Sequence, residues 1–115
     1  MSMDDFLSSS AALTVIEEPA VEQAIDAAAE EYPHAFDMFQ AAAWRIARQP
    51  ECGIVIDEEE PFRRIVKLVP IQQSKNPVML IRYYIDGEDV VVDWIKISPY
   101  DDRQAISPPA FTFKP

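Results

Sequence analysis

Residues 78–98 read VMLIRYYIDGEDVVVDWIKIS, and the other elements of the chain can be placed around them. Two runs rich in β-branched and aromatic residues flank Asp86 and Gly87. An Asp-Gly pair between such runs is typical of a tight type I′ turn that joins antiparallel strands. The pattern therefore predicts a central β-hairpin with Asp86 and Gly87 as its two loop residues.

The two faces of this predicted hairpin differ in chemistry. The apolar face pairs Ile85 with Glu88, Tyr83 with Val90, Ile81 with Val92, and Met79 with Trp94. The opposite, open face carries Leu80, Arg82 and Tyr84 against Asp93, Val91 and Asp89. This register predicts that Trp94 is buried in the core, and that Arg82 forms a cross-strand ion pair with Asp89 or Asp93.

Length and composition indicate one globular domain. The chain has 115 residues, of which 49% are hydrophobic and 26% charged, and these values are ordinary for a single domain. Asp4 and Asp5 stand where a secretory signal would carry positive charge, and no apolar run approaches the roughly 18 residues of a membrane span. We therefore expect a cytoplasmic protein. Cys52 is the only cysteine, so no intramolecular disulfide is possible and a structural role is expected.

Charge is distributed unevenly along the chain. The net charge is −10. Residues 1–62 hold fourteen acidic and two basic side chains (2 − 14 = −12), whereas residues 63–115 hold six acidic and eight basic ones (8 − 6 = +2). Nucleic-acid binding draws most of its strength from Lys and Arg, so the overall charge disfavours it. The asymmetry fits either a binding face in the second half or a solvated acidic helix surface in the first.

Two prolines mark the starts of two predicted helices, because Pro is favoured at the first helical position. Residues 12–16 form a short strand before Pro19. Apolar residues then recur at helical spacing in the first helix: Val21, Ala24, Ile25, Ala28 and Tyr32. The second helix begins at Pro33 and carries a second apolar stripe: Phe36, Phe39, Ala43, Ile46 and Ala47. We expect the hairpin face with Ile81 and Trp94 to pack on Phe36, Phe39 and Ile46.

The segments outside these elements are less regular. The run from Asp57 to Glu60 predicts a solvated loop, because it lacks the spacing and glycine of a cation site. His34 has no partner for catalysis in the sequence, so a capping or solvent-facing role is expected. Residues 62–71 alternate as a strand, with Phe62, Val66, Leu68 and Arg64 in the core register and Arg63, Ile65 and Lys67 on the other side. Phe111 and Phe113 indicate a short closing strand or a tail.

Together these elements predict an α+β fold of the order β-α-α-β-β-β, with two antiparallel helices on one face of a small antiparallel sheet. Residues 1–11 are expected to be disordered, 12–103 to form the domain and 104–115 to form a C-terminal tail. No cofactor and no metal site are predicted.

Four strings resemble the RelE/ParE-type toxins of bacterial toxin-antitoxin pairs, over roughly residues 13–103. They are LTVIEEPAVEQAI, AAAWRIARQPECG, RRIVKLVPI and the hairpin sequence quoted above. The second is similar to the end of that family's second helix, with its "La..P..G" run, and the hairpin is similar to its "R..Y.IDGD.V.V..I" phrase. The resemblance implies a cytoplasmic protein that halts growth until a cognate antitoxin binds it.

The family acts either by ribosome-dependent mRNA cleavage or by poisoning DNA gyrase. The resemblance implies that the active site of its nucleases is a cationic cleft, in which Lys and Arg stabilise the charge of the phosphate. The corresponding candidate catalytic residues here are Arg64, Lys67, Tyr100 and Arg103, and the candidate binding face consists of Arg63, Arg82, Tyr84 and Lys96. Met79 stands where those enzymes carry an arginine. The absence of that arginine argues against efficient cleavage.

Two hypotheses follow. The first is a RelE/ParE-like toxin, or a degenerate relative with weak or no nuclease activity, whose partners are a cognate antitoxin and either gyrase or the ribosome with its mRNA. The second is a non-catalytic protein-binding module that uses the open sheet face and the C-terminal tail. Neither involves a membrane.

Overall fold

The computed structural model describes residues 12–70 and 75–100 with their side chains, and the backbone of residues 110–113. These residues contain two helices and six strands: β1 (Thr14–Glu17), α1 (Pro19–Ala28), α2 (Ala35–Arg48), β2 (Ile54–Asp57), β3 (Arg63–Pro70), β4 (Val78–Asp86), β5 (Asp89–Ser98) and β6 (Ala110–Phe113). The predicted α+β class is confirmed. The expectations for residues 1–11 and for Arg103 lie outside the described residues.

The sheet is mixed, so the prediction of an antiparallel sheet is wrong. The strand order is β1-β5-β4-β3-β2, and β6 pairs with β3. β1 is parallel to β5 and β6 is parallel to β3, while the other pairs are antiparallel. β2 extends into the predicted loop only at Asp57, and β6 is the short strand that was one of the two alternatives for Phe111 and Phe113. β2 pairs with the next strand along the chain, whereas β6 pairs with the same strand from a distant segment, and these partners supply the hydrogen bonds that make such short runs into strands.

Both helices contribute to one core on a single face of the sheet, which we call the helix face. The fully buried side chains on the helices include Val21, Ile25, Met38, Phe39 and Ile46, and those on the strands include Val66, Leu68, Met79, Ile81, Tyr83, Val90 and Val92. Phe36 was expected among them but is 52% exposed. The buried stripe of α2 runs through Met38, Ala42 and Ile46, which leaves Phe36 at its margin.

The hairpin forms where it was predicted, but the predicted register is wrong, because Ile85 pairs with Val90, Tyr83 with Val92, Ile81 with Ile95 and Met79 with Ile97. Gly87, with a φ of 63°, and Glu88 connect the strands, because Asp86 pairs with Asp89. A bulge then occurs at Asp93, since Tyr83 pairs with Val92 while Arg82 pairs with Trp94. One extra residue reverses the alternation that follows it. Trp94 therefore lies on the face opposite the helices, 37% exposed, and the expectation that it is buried is wrong.

The bulge also explains which residues of β5 take the place of Trp94 in the core. Ile95 and Ile97 pack against the buried cluster.

Neither helix in the described part of the chain has the length and apolar character that a membrane span requires.

Candidate functional site

Two arginines on the face opposite the helices share one carboxylate. We call this face the arginine face. The Nε of Arg63 donates to Oδ2 of Asp93 over 2.9 Å, and the Nε of Arg82 donates to Oδ1 of the same residue over 2.8 Å. The Asp93 side chain is only 7% exposed. It lies at the bulge of β5, next to the strand that carries Arg82, and the strand that carries Arg63 follows on the far side of β4. The predicted ion pair of Arg82 is confirmed, with Asp93 as the partner.

Further contacts hold both guanidinium groups in place. Arg63 lies 3.4 Å from the carboxylate of Asp57 and 5.5 Å from the centre of the Tyr84 ring. Arg82 lies 5.9 Å from the centre of the Trp94 ring. The hydrogen bond to Asp93 raises the pKa of the Arg63 guanidinium, so the group stays charged. Two cations and two carboxylates thus form a network that is neutral in sum.

The structure brings the predicted binding face together without making it strongly basic. Arg63, Arg82 and Tyr84 share the arginine face through their register, and Lys96 lies exposed on the same face. Lys67 also belongs to this face, but it is only 5% exposed. A phosphate group therefore has little access to it.

The candidate catalytic residues do not meet on one side of the sheet. Arg64 points to the helix face, whereas Lys67 is three residues further along the same regular strand and points to the arginine face. The Nη1 of Arg64 donates to the carbonyl oxygens of Gly53 (2.9 Å) and Glu51 (3.3 Å). Tyr100 follows the end of β5 and is half-buried.

Tyr83 fastens the segment between α2 and β2 to the sheet. Its buried hydroxyl donates to the carbonyl oxygen of Pro50 over 2.8 Å and accepts the N–H of Gly53 over 3.0 Å. Burial raises the pKa of the phenol well above its ordinary value, so it remains a neutral donor at physiological pH. Sequence analysis assigned no such role to Tyr83. Gly53 is the residue that could have indicated this close contact, because the chain has only two glycines and glycine often marks a site of close approach.

A cleft of about 590 Å³ opens beside this segment, and we call it the Phe62 cleft. Its apolar lining includes Val55, Phe62 and Ile85, and its acidic lining consists of Glu51, Glu58 and Glu60. Arg64 and Tyr83 also line it. Phe62 was expected in the core but is 52% exposed. The strand β3 begins only at Arg63, so Phe62 precedes it, and Phe62 does not belong to the buried cluster.

The remaining polar candidates form no metal site. Among residues 12–70 and 75–100, no group of three or more His, Cys, Asp and Glu side chains is arranged to hold a metal ion. His34 lies 3.5 Å from the carboxylate of Asp37, and both side chains are exposed. Cys52 is half-buried against the core, with its Sγ 3.9 Å from the Tyr83 hydroxyl.

A scan against protein-family models finds no match to this chain, and searches of curated proteins and of solved structures find no significant match. Function therefore has to be inferred from the chemistry of the described residues.

Proposed function

We propose that this chain is a RelE/ParE-like protein that acts by binding a protein partner and does not itself cleave RNA. The observation that carries the proposal is the position of Asp93, whose buried carboxylate takes the Nε hydrogen bonds of both Arg63 and Arg82. A nuclease of the kind that the resemblance implies needs these cations available to phosphate groups.

The electrostatics of the sheet support binding without cleavage. Catalysis of phosphoryl chemistry by a cationic site depends on preorganised charge aimed at the phosphate, and losing one such donor typically costs about 10² to 10³ in rate. Here Arg64 donates to two carbonyl oxygens, and Lys67 is buried. Met79 stands where the resemblance expects a further arginine and is itself fully buried.

An active toxin is the second candidate, and the order of the elements favours it. The N-terminal part of the chain runs strand, helix, helix and then into the sheet, as the resemblance requires. Such a protein would either cleave mRNA on the ribosome or bind gyrase. The gyrase route also acts through a protein contact, so it is compatible with the first proposal, whereas the nuclease route is not.

The decisive experiment is ribosome-dependent mRNA cleavage. We expect the purified chain to cleave neither free RNA nor mRNA bound to ribosomes, because Asp93 takes the Nε hydrogen bonds of Arg63 and Arg82 and Lys67 is buried. Expression of the chain alone in bacteria, with growth as the readout, tests the toxin hypothesis separately. Cleavage of ribosome-bound mRNA that is lost in Tyr100→Phe would overturn the proposal and establish a nuclease.

Asp93→Asn tests whether Asp93 withholds the arginines from RNA. Removing its charge should raise the affinity for a short labelled polyuridine, by about fivefold for each arginine that becomes available at ~0.1 M salt. Asp89→Asn is the matched control, because it makes the same charge change on the same strand and leaves the ion pairs of both arginines with Asp93 and Asp57 in place. Equal affinities of the two variants in fluorescence anisotropy would contradict the assigned role of Asp93.

A further inference from the structure

We propose that the Phe62 cleft is the docking site for a basic amphipathic segment of the protein partner. An apolar side chain of that segment enters between Val55, Phe62 and Ile85, and flanking Lys or Arg side chains reach Glu58 and Glu60. The inference rests on the proposed function, since it specifies where the partner binds and what its chemistry is.

Large apolar side chains are exposed together at the cleft. Val55, Phe62 and Ile85 are all exposed, and all three line the same cleft. Single exposed apolar residues are ordinary, but contiguous ones around a concavity mark binding surfaces. The volume of about 590 Å³ falls within the range of known ligand pockets. The cleft can therefore accept one or two apolar side chains.

Hydrogen bonds already hold the inner end of the cleft in position. Tyr83 bonds to Pro50 and Gly53, and Arg64 bonds to the carbonyl oxygens of Glu51 and Gly53. These bonds tie the segment before β2 to strands β3 and β4. A preformed site binds more tightly than a flexible one, because less conformational entropy is lost on association.

The charge of the cleft selects a basic occupant. Three carboxylates line the cleft, from Glu51, Glu58 and Glu60, and none of them forms an ion pair within the part of the chain that the structure describes. Arg64 is the single cation in the lining, and its Nη1 already donates to backbone carbonyls. Lys or Arg side chains next to the apolar anchor would form ion pairs with these carboxylates. Complementary charges of this kind steer association and set specificity.

The same charge argument disfavours the other occupants. A second copy bound cleft to cleft about a two-fold axis would bring the Glu58 and Glu60 of both chains together. The N-terminal residues of this chain carry Asp4 and Asp5 and no cation, so they match the cleft poorly. A basic segment of another protein remains the occupant that satisfies both the apolar and the acidic lining.

The test uses the full chain and a defined probe. The probe is a fluorescein-labelled peptide that alternates lysine with leucine around one central phenylalanine, and its binding is followed by fluorescence anisotropy. Phe62→Ser should weaken binding at least tenfold, since it removes the largest exposed apolar side chain of the cleft. A double variant, Glu58→Gln with Glu60→Gln, should weaken binding at least threefold at low salt, and this difference should vanish at high salt because salt screens exposed charges.

Matched controls separate the cleft from general surface effects. Trp44→Ser removes an aromatic side chain that is exposed on α2, outside the cleft. Asp26→Asn with Glu30→Gln removes two exposed carboxylates of the first helix region, which gives the same charge change as the cleft variant. Both control proteins should bind the probe as the unchanged chain does, and a probe with glutamate in place of lysine should not bind.

Several results would overturn the proposal. They are equal weakening by the cleft and control variants, binding of the acidic probe, or a dimer in solution that Phe62→Ser converts to a monomer, which would make a second copy the occupant. Far-ultraviolet circular dichroism shows whether each variant is folded. The outcome is independent of the cleavage assay: RNA cleavage with intact peptide binding would refute the proposed function alone, and absent cleavage with no peptide binding would refute the cleft alone.

Discussion

Phe39→Ala should lower the free energy of unfolding by about 3 to 5 kcal/mol, the range for emptying a large buried aromatic site. Phe39 is 1% exposed and belongs to the core cluster that includes Ile46 and Ile81. Trp94→Ala should cost about 1 kcal/mol or less, because the bulge turns this larger side chain to the surface. The guanidinium of Arg82 lies 5.9 Å from the centre of the Trp94 ring.

Chemical denaturation followed by circular dichroism measures both variants. The sequence pattern alone predicts that Trp94→Ala lowers the free energy of unfolding as much as Phe39→Ala or more, so the two measurements distinguish the predicted register from the observed one. If Trp94→Ala cost as much as Phe39→Ala, the bulge at Asp93 would be misplaced and Trp94 would lie in the core.

Gly53→Ala should destabilise the chain by roughly 3 kcal/mol, the upper part of the usual range for an added group in a tight site. A Cβ at this position would lie 2.8 Å from the Tyr83 hydroxyl oxygen and 2.9 Å from the Ile65 carbonyl oxygen. Both neighbours are held: the hydroxyl bonds to Pro50 and to the N–H of Gly53 itself, and the carbonyl belongs to a strand. The added methyl group must therefore displace the loop or the tyrosine.

Two companion variants make this prediction specific. Gly87→Ala meets nothing within 4 Å but has a φ of 63°, so it should cost about 1 to 2 kcal/mol through backbone strain alone. Adding Tyr83→Phe to Gly53→Ala removes one of the two close oxygens, and the double variant should be more stable than the sum of the two single losses predicts. Strict additivity in denaturant melts would show that the hydroxyl and Gly53 are not in contact.

Much of the fold could be predicted because its determinants are local. Pro19 opens α1 at its first residue, and the apolar spacing from Phe39 to Ile46 identifies the buried stripe of α2. The Asp-Gly pair located the hairpin, although the loop residues are Gly87 and Glu88. The parallel neighbours of β1 and β6 could not be predicted, because pairing between distant segments leaves no period in either strand.

The candidate site was less predictable for a related reason. The attraction of Arg82 for a diagonal aspartate follows from the alternation of a hairpin, and that pair is present with Asp93. The second ion pair of Asp93, with Arg63, depends on the bulge. Nothing in the sequence of residues 90–94 predicts that bulge. Likewise, the acceptors of Arg64 are backbone carbonyls of residues 51 and 53, and their position depends on the path of a loop.

The parallel pairing of β1 with β5 affects how the chain can fold as it is synthesised. Thr14 lies opposite Asp89, so β1 pairs with a strand that is synthesised much later. Until then, β1 has no neighbour in the sheet, and the core lacks Val90 and Val92. Contacts between such distant segments slow folding and prolong the exposure of aggregation-prone surface. The native sheet is therefore complete only after synthesis has passed β5.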